Sequence, residues 1–205
     1  DLGFRVGAKS DGNPFFVFEI LRALRESGRL TKTDDGSWVR TQAIREIEIP
    51  SSVRDLVQAR LCGLAEEDKD LLDVAACCGD EFDPLLVGEA LGIPRIPLLK
   101  RLGRLERTNR LVRSVDVRCL FDQRQVREAI YAGLSELLRR EYHAALGEAL
   151  VAREVAAGRS PDAADGATAT AISRHLIEGA QGERALPWLE RAMDHEARRG
   201  HPEGA

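Results

Sequence analysis

Apolar residues recur at helical spacing along most of the chain, in runs punctuated by Gly, Pro, Asn and Asp. Phe16, Ile20, Leu21 and Leu24 share one face of a helix that opens at Asn13-Pro14 and stops at Gly28. Asn13 can cap the free amides of its first turn, and Pro14 takes the position that needs no donor. Extended pieces at 29–32 and 37–40, split by Asp34-Asp35-Gly36, predict a hairpin carrying Trp38. A second helix, capped by Ser51 or Ser52, holds Val53, Leu56, Val57, Arg60, Leu61 and Leu64 in register. A third spans Glu66 to Cys78 with Leu71, Leu72, Ala75 and Ala76 inward, and ends at Gly79. Its acidic start, Glu66-Glu67-Asp68, favours the positive end of the helix dipole.

Asp83-Pro84 repeats the cap-then-proline device and starts a short fourth helix closed by Gly92. From Pro97 to about Arg107 a fifth helix places Leu98, Leu99, Leu102 and Leu105 in one stripe. Two strands, 111–114 and 117–121, follow around Val115-Asp116. The pattern then returns to helix, first Gln123 to Ala132, then a long run from Ser135 to about Ala157 with Leu138, Tyr142, Leu146 and Leu150 aligned. Residues 158–166 form a polar loop, and Ala169 to Gly179 with Glu183 to Arg199 make a helical hairpin packed through Ala185, Leu186, Leu189, Ala192 and Ala197.

Three helices followed by a small hairpin is the order of a winged-helix domain. The last helix pair has the composition of a tetratricopeptide-like repeat, a unit that needs neighbours to bury its faces. The expected fold class is mainly α: a winged-helix module with a small β-hairpin wing, then α-helical hairpin repeats. The expected division is 1–28, 29–134 and 135–205.

Composition narrows the function. With 205 residues the chain can bury a sizeable core, and 43% apolar with 31% charged residues excludes disorder and collagen-like structure. No run approaches about 18 apolar residues and the start lacks a signal-peptide profile, so a soluble, cytoplasmic protein without a membrane partner is expected. The chain starts at Asp1 and its sole methionine is Met193, which reads as a piece of a longer polypeptide. Cys62, Cys77, Cys78 and Cys119 fit neither a zinc ribbon nor a redox pair and read as reduced, buried thiols. His143, His175, His195 and His201 are scattered without metal-ligand spacing, and no metal site is expected.

Charge is less bland than the net −4 implies. Residues 51–94 hold 3 basic and 10 acidic side chains, whereas residues 95–127 hold 10 basic and 3 acidic. In the basic block Lys100, Arg104 and Arg107 share one helical face, and Arg110, Arg113 and Arg118 fall around the wing. A basic helix with a basic wing is one way such domains grip DNA phosphates. The negative total, the acidic helices nearby and the lack of base-reading Asn or Gln on that face favour a solvated face or a dock for another domain.

The order Gly12-Asn13-Pro14-Phe15-Phe16, Leu71-Leu72-Asp73-Val74-Ala75-Ala76, Phe121-Asp122-Gln123 and Arg127-Glu128-Ala129-Ile130-Tyr131 resembles the part of STAND-type signal-transduction ATPases that follows the P-loop core. Members of this type couple a P-loop domain to a winged helix and helical repeats, often within transcriptional regulators. The resemblance implies that Gly12, Asn13 and Pro14 border the adenine side of a nucleotide pocket, the cofactor being ATP or ADP held by the full-length parent. It also implies a phosphate-facing residue at Gln123, where the family often has the histidine of a Phe-x-His pattern. Gln can hydrogen-bond but cannot change protonation near neutral pH, and the plainer reading is a polar strand-to-helix junction. Partners implied are the P-loop core of the same chain and a protein or small-molecule signal received by the repeats.

No G-x-x-x-x-G-K-[ST] loop, no G-x-S-x-G elbow and no apolar strand ending in paired acids occurs. This segment alone is therefore expected to bind no nucleotide and to catalyse nothing. Three functions stay open: a regulatory segment of a STAND-type ATPase, a DNA-binding winged helix using Lys100, Arg104 and Arg107, and a helical scaffold for protein interaction.

Overall fold

The computed structural model describes residues 63–200 without a break and, before them, residues 3–4, 6–7, 14–26, 28, 30–33, 38–40 and 61. Contacts divide the chain into two units, Asp1–Leu64 and Ala65–Ala205.

In the first unit, helix α1 (Pro14–Glu26) buries Ile20 and Leu24, the two positions one turn apart on its apolar face. It ends where Gly28 adopts φ +67°, a left-handed backbone that closes the last turn through Gly28 N–H donating to Arg25 O. The expected hairpin follows: β1 (Leu30–Lys32) and β2 (Trp38–Arg40) pair antiparallel with Thr31 opposite Val39. The helix expected after Ser51 or Ser52 and the cap Asn13 lie outside the described residues.

The second unit begins with α2 (Glu66–Cys78), whose Leu71, Leu72, Val74, Ala75, Ala76 and Cys77 are buried. Strand β3 (Glu81–Phe82) leads to α3 (Pro84–Ala90), where Asp83 Oδ1 accepts from Leu85 N–H and Pro84 opens the helix as its sequence implies. Helix α4 (Arg95–Arg104) runs on into a π-type turn, 105–109, and Arg110 at φ 49° redirects the chain into β4 (Val112–Val115). Asp116 at φ 53° makes the turn to β5 (Arg118–Phe121). The sheet order is β3-β5-β4, all antiparallel, with Phe82 opposite Cys119 and Val112 opposite Phe121. Two residues give β3 no periodicity to read, so the sequence shows the β4–β5 hairpin but not its third strand.

Helices α5 (Arg124–Gly133), α6 (Glu136–Ala156), α7 (Gly166–Glu178) and α8 (Gly182–Gly200) complete the unit, with a 3₁₀ turn, Pro161–Ala163, between α6 and α7. Helix α6 packs on α2 and α3 and also on α7, while α7 and α8 form a hairpin around Ile172, Leu176, Ala185 and Trp188. The fold is thus mainly helical with one small three-stranded sheet and a separate two-stranded hairpin.

Three expected core stripes differ from the ones observed. Leu99 is 44% exposed and Leu186 is 64% exposed, both turned away from the helices their neighbours pack on. On α6, Leu138 is 38% exposed and the buried face is His143, Ala144, Leu146 and Gly147. A helix gripped from two sides replaces the single apolar stripe by small residues where its neighbours come close. No helix of the described residues is long and apolar enough to cross a membrane.

Candidate functional site

Of the residues singled out for a nucleotide pocket, Gly12 and Asn13 lie outside the described residues. Pro14 is the exposed first residue of α1, and Gln123 is the residue preceding α5, in the other unit. Gln123 makes no capping bond, and its Oε1 is buried with no hydrogen-bond partner among the described residues.

The two charge blocks meet inside the second unit. Arg104 of α4 reaches back to α2 and donates from Nη2 to both oxygens of buried Asp68, at 2.9 and 2.7 Å. Arg101 donates to the Glu67 carbonyl, Arg127 pairs with Asp80 at 2.8 Å, and Arg118 lies 3.6 Å from Glu81. Much of the basic block thus neutralises the acidic block beside it. Asp68 has a second role that its place in an acidic first turn conceals: it is a buried carboxylate satisfied by one guanidinium. Lys100 and Arg107 form no salt bridge among the described residues. With Ile96, Leu99 and Gly103 they line an open groove of about 370 Å³ on the outer face of α4.

The chemically densest place is the junction of α2, α5, α6 and α7. His143 of α6 and His175 of α7 are each 2% exposed, and their Nδ1 atoms stand 2.9 Å apart. Arg174 Nη2 is 3.0 Å from His175 Nε2 and also donates to the Cys78 carbonyl at the end of α2. Tyr131 Oη of α5 lies 3.3 Å from His143 Nε2.

Donor chemistry fixes the protons. A guanidinium only donates, so His175 Nε2 accepts and the neutral ring carries its hydrogen on Nδ1. That hydrogen is donated to His143 Nδ1, which places the His143 hydrogen on Nε2, pointing at Tyr131 Oη. The chain of bonds is satisfied only with both imidazoles neutral. Burial first, then the Arg174 charge and His143, push His175 down to about 3; burial and then Arg174 also lower His143.

Around the pair, the environment suppresses reactivity. Burial pushes the Cys77 and Cys78 thiols up to about 12, so neither is a nucleophile near neutral pH. Burial, with Asp70 and Glu66 nearby, raises the Asp73 carboxyl to about 6. Burial and the same acidic cluster raise Tyr142, whose Oη donates to Asp70, to about 12. Arg139 stacks over the Tyr131 ring, 4.5 Å from its centroid.

Backbone approach holds α6 against α7. A Cβ on Gly179 would lie 2.6 Å from the Ala144 nitrogen and 2.7 Å from its Cα, and one on Gly147 would lie 3.3 Å from the Leu176 nitrogen. At the other flank of α6, Arg153 donates to Asp83 and, through two nitrogens, to Glu89 on and before α3. Burial favours the neutral Asp83 acid, but the Arg153 hydrogen bond and charge outweigh it and hold the carboxyl below its usual range.

Sequence reasoning missed this junction. His143 and His175 are 32 residues apart and occur in no ligand motif. The available signal was a histidine on the core-facing side of each of two consecutive helices. Among the described residues no group of three or more His, Cys, Asp or Glu side chains is placed to hold a metal ion. No family model, curated protein or solved structure matches the chain.

Proposed function

We propose that the chain is a regulatory, non-catalytic segment of a STAND-type signal-transduction ATPase: a winged-helix module, followed by the start of tetratricopeptide-like repeats, that passes a signal between the repeats and a nucleotide-binding core. The observation that carries the reading is the placement of α6. One helix is clamped to α3 through Arg153, to α2 through the Tyr142–Asp70 hydrogen bond, and to α7 through the histidine pair and two close-approach glycines. A displacement of the α7–α8 hairpin therefore moves α6 against the sheet-bearing module instead of being absorbed in a linker.

The residues at this junction suit transmission better than catalysis. Its imidazoles are neutral and bonded to each other, its thiols are protonated, and Asp73, raised to about 6, lies in a like-charged cluster. Nucleotide contact belongs to the parent's core, with Gly12, Asn13, Pro14 and Gln123 as bordering residues. The DNA reading is left with Lys100 and Arg107, because Arg104 holds Asp68.

The test is the upstream reading frame together with the protein encoded by it. A G-x-x-x-x-G-K-[ST] loop is expected upstream, and ATP or ADP should alter hydrogen exchange in α6 of the longer protein. A frame without that loop, or exchange in α6 that ignores nucleotide, overturns the proposal. The 205-residue chain alone should give no heat of ATP binding in calorimetry.

A further inference from the structure

Two exposed stripes on the second unit match each other in length, spacing and charge. On α4 and the turn that continues it, Ile96, Leu99, Lys100, Gly103 and Arg107 follow one another at helical spacing and line the 370 Å³ groove. Ile96 is 67% and Leu99 44% exposed, an apolar floor with a cation at its middle and another at its far end. Gly103 lets the Arg107 guanidinium fold back onto the helix: a Cβ there would lie 3.0 Å from Arg107 Nη1.

On α8, Glu183, Leu186, Glu190, Met193 and Asp194 make a ridge at the same spacing. Leu186 and Met193 are 64% and 69% exposed, turned away from the α7–α8 core that Ala185, Trp188 and Ala192 fill. Of the cations on this helix, Arg184 is held by Glu148 and Arg191 by the Ala164 carbonyl. Glu183 and Glu190 form no salt bridge among the described residues. Each stripe spans twelve positions, about 16 Å at 1.5 Å per residue.

We propose that the α4 groove of one copy of this chain receives the α8 ridge of a second copy, the two helices running antiparallel. In that alignment Arg107 meets Glu183, Leu186 packs against the Arg107 side chain where it crosses Gly103, Lys100 meets Glu190, and Met193 packs on Ile96 and Leu99. The parallel alignment sets Glu183 against Ile96 and Glu190 against Gly103, so charge and shape select the antiparallel one. Groove and ridge are different surfaces, which makes the contact heterologous, able to close into a pair with two such contacts or to continue head to tail. The proposal is independent of the reading as an ATPase segment, since it needs only this chain.

Sedimentation velocity on the 205-residue chain at low salt tests it, from about 10 µM to 1 mM, the range suited to a small charged interface. The weight-average mass should rise with concentration and fall back with added salt. The groove variant Lys100→Glu/Arg107→Glu and the ridge variant Glu183→Lys/Glu190→Lys should each stay monomeric, since each sets like charges against each other. Mixed in equal amounts they should associate, because a native groove then meets a native ridge and a reversed groove a reversed ridge. All four positions are on the surface, and recovery in the mixture shows that both variants are folded. A wild type that is monomeric throughout overturns the proposal, as does association indifferent to the reversals or a mixture that stays monomeric. A monomeric wild type whose binding to a 20-base-pair duplex is abolished by Lys100→Glu/Arg107→Glu also overturns it, and assigns the groove to nucleic acid.

Discussion

The seam between the acidic and basic blocks and the seam between α6 and α7 both join elements of the second unit, by opposite means. The first is built from full charges, most of them half exposed: Arg118 with Glu81, Arg127 with Asp80, Arg104 with Asp68. The second has at its centre two neutral imidazoles, one of them accepting from Arg174, and two glycines. Exposed ion pairs contribute little because water solvates the separated charges almost as well, whereas close-packed backbone and buried polar atoms have no such alternative. The contrast predicts that the electrically conspicuous seam is the more dispensable one, apart from its single buried carboxylate.

The sharpest way to break the contrast is at Gly179. Gly179→Val forces side-chain atoms into the Ala144 backbone and should cost about 3 kcal/mol, the upper end for overpacking, read as a lower urea midpoint. Within the charge seam, Arg104→Ala is the exception expected to hurt, by about 2 kcal/mol, because Asp68 stays buried without its guanidinium. A loss smaller than that of an exposed pair would show that Asp68 finds water.

Acid separates the seams further. His175 sits at about 3 folded against about 6.5 unfolded, so the unfolded chain takes up the extra proton and stability falls as pH drops below the higher value. Asp73 acts with the opposite sign: raised to about 6, it binds its proton in the folded state first, and it lowers stability as pH rises through that range. Between about pH 6 and 4 the two offset each other. Asp73→Asn should therefore stabilise the protein at pH 7 by about 1–2 kcal/mol, discounted for partial exposure, and this gain should vanish below about pH 4. Thermal melts across pH, wild type against variant, read the difference directly.

Smaller effects complete the ordering. Arg153→Ala removes a clamp whose partners are partly exposed and should cost about 1 kcal/mol in the same urea titration. Arg118→Ala, at an exposed pair 3.6 Å long, should change stability by less than about 0.5 kcal/mol and abolish no salt dependence that Arg104 does not already carry.

The same contrast explains what was legible in the sequence. Helix α2 was readable end to end, because Leu71, Leu72, Ala75 and Ala76 face one side and Gly79 stops it. The Asp83-Pro84 cap and the β4–β5 hairpin were readable for the same local reasons. The charge blocks could be counted, but not which partner each side chain chooses: Arg104 looked like one of three equivalent cations and is the one committed to a buried acid. The α6–α7 seam left no pattern, since a histidine and a glycine on each side acquire meaning only when two helices cross. Leu99, Leu138 and Leu186 misled for a related reason: helical spacing assigns a residue to a face, not to a neighbour, and those faces turn outward in the described residues.

The central claim is that α6 makes the sheet-bearing module and the α7–α8 hairpin one cooperative body. Native-state hydrogen exchange tests it most directly, comparing the amides of 71–77 in α2 with those of 169–176 in α7, in the wild type and in His175→Ala. One cooperative body gives opening free energies equal within about 1 kcal/mol at the two places, and a fall at both when His175 is removed. A hairpin that opens on its own, with α2 protection untouched by His175→Ala, would contradict the claim.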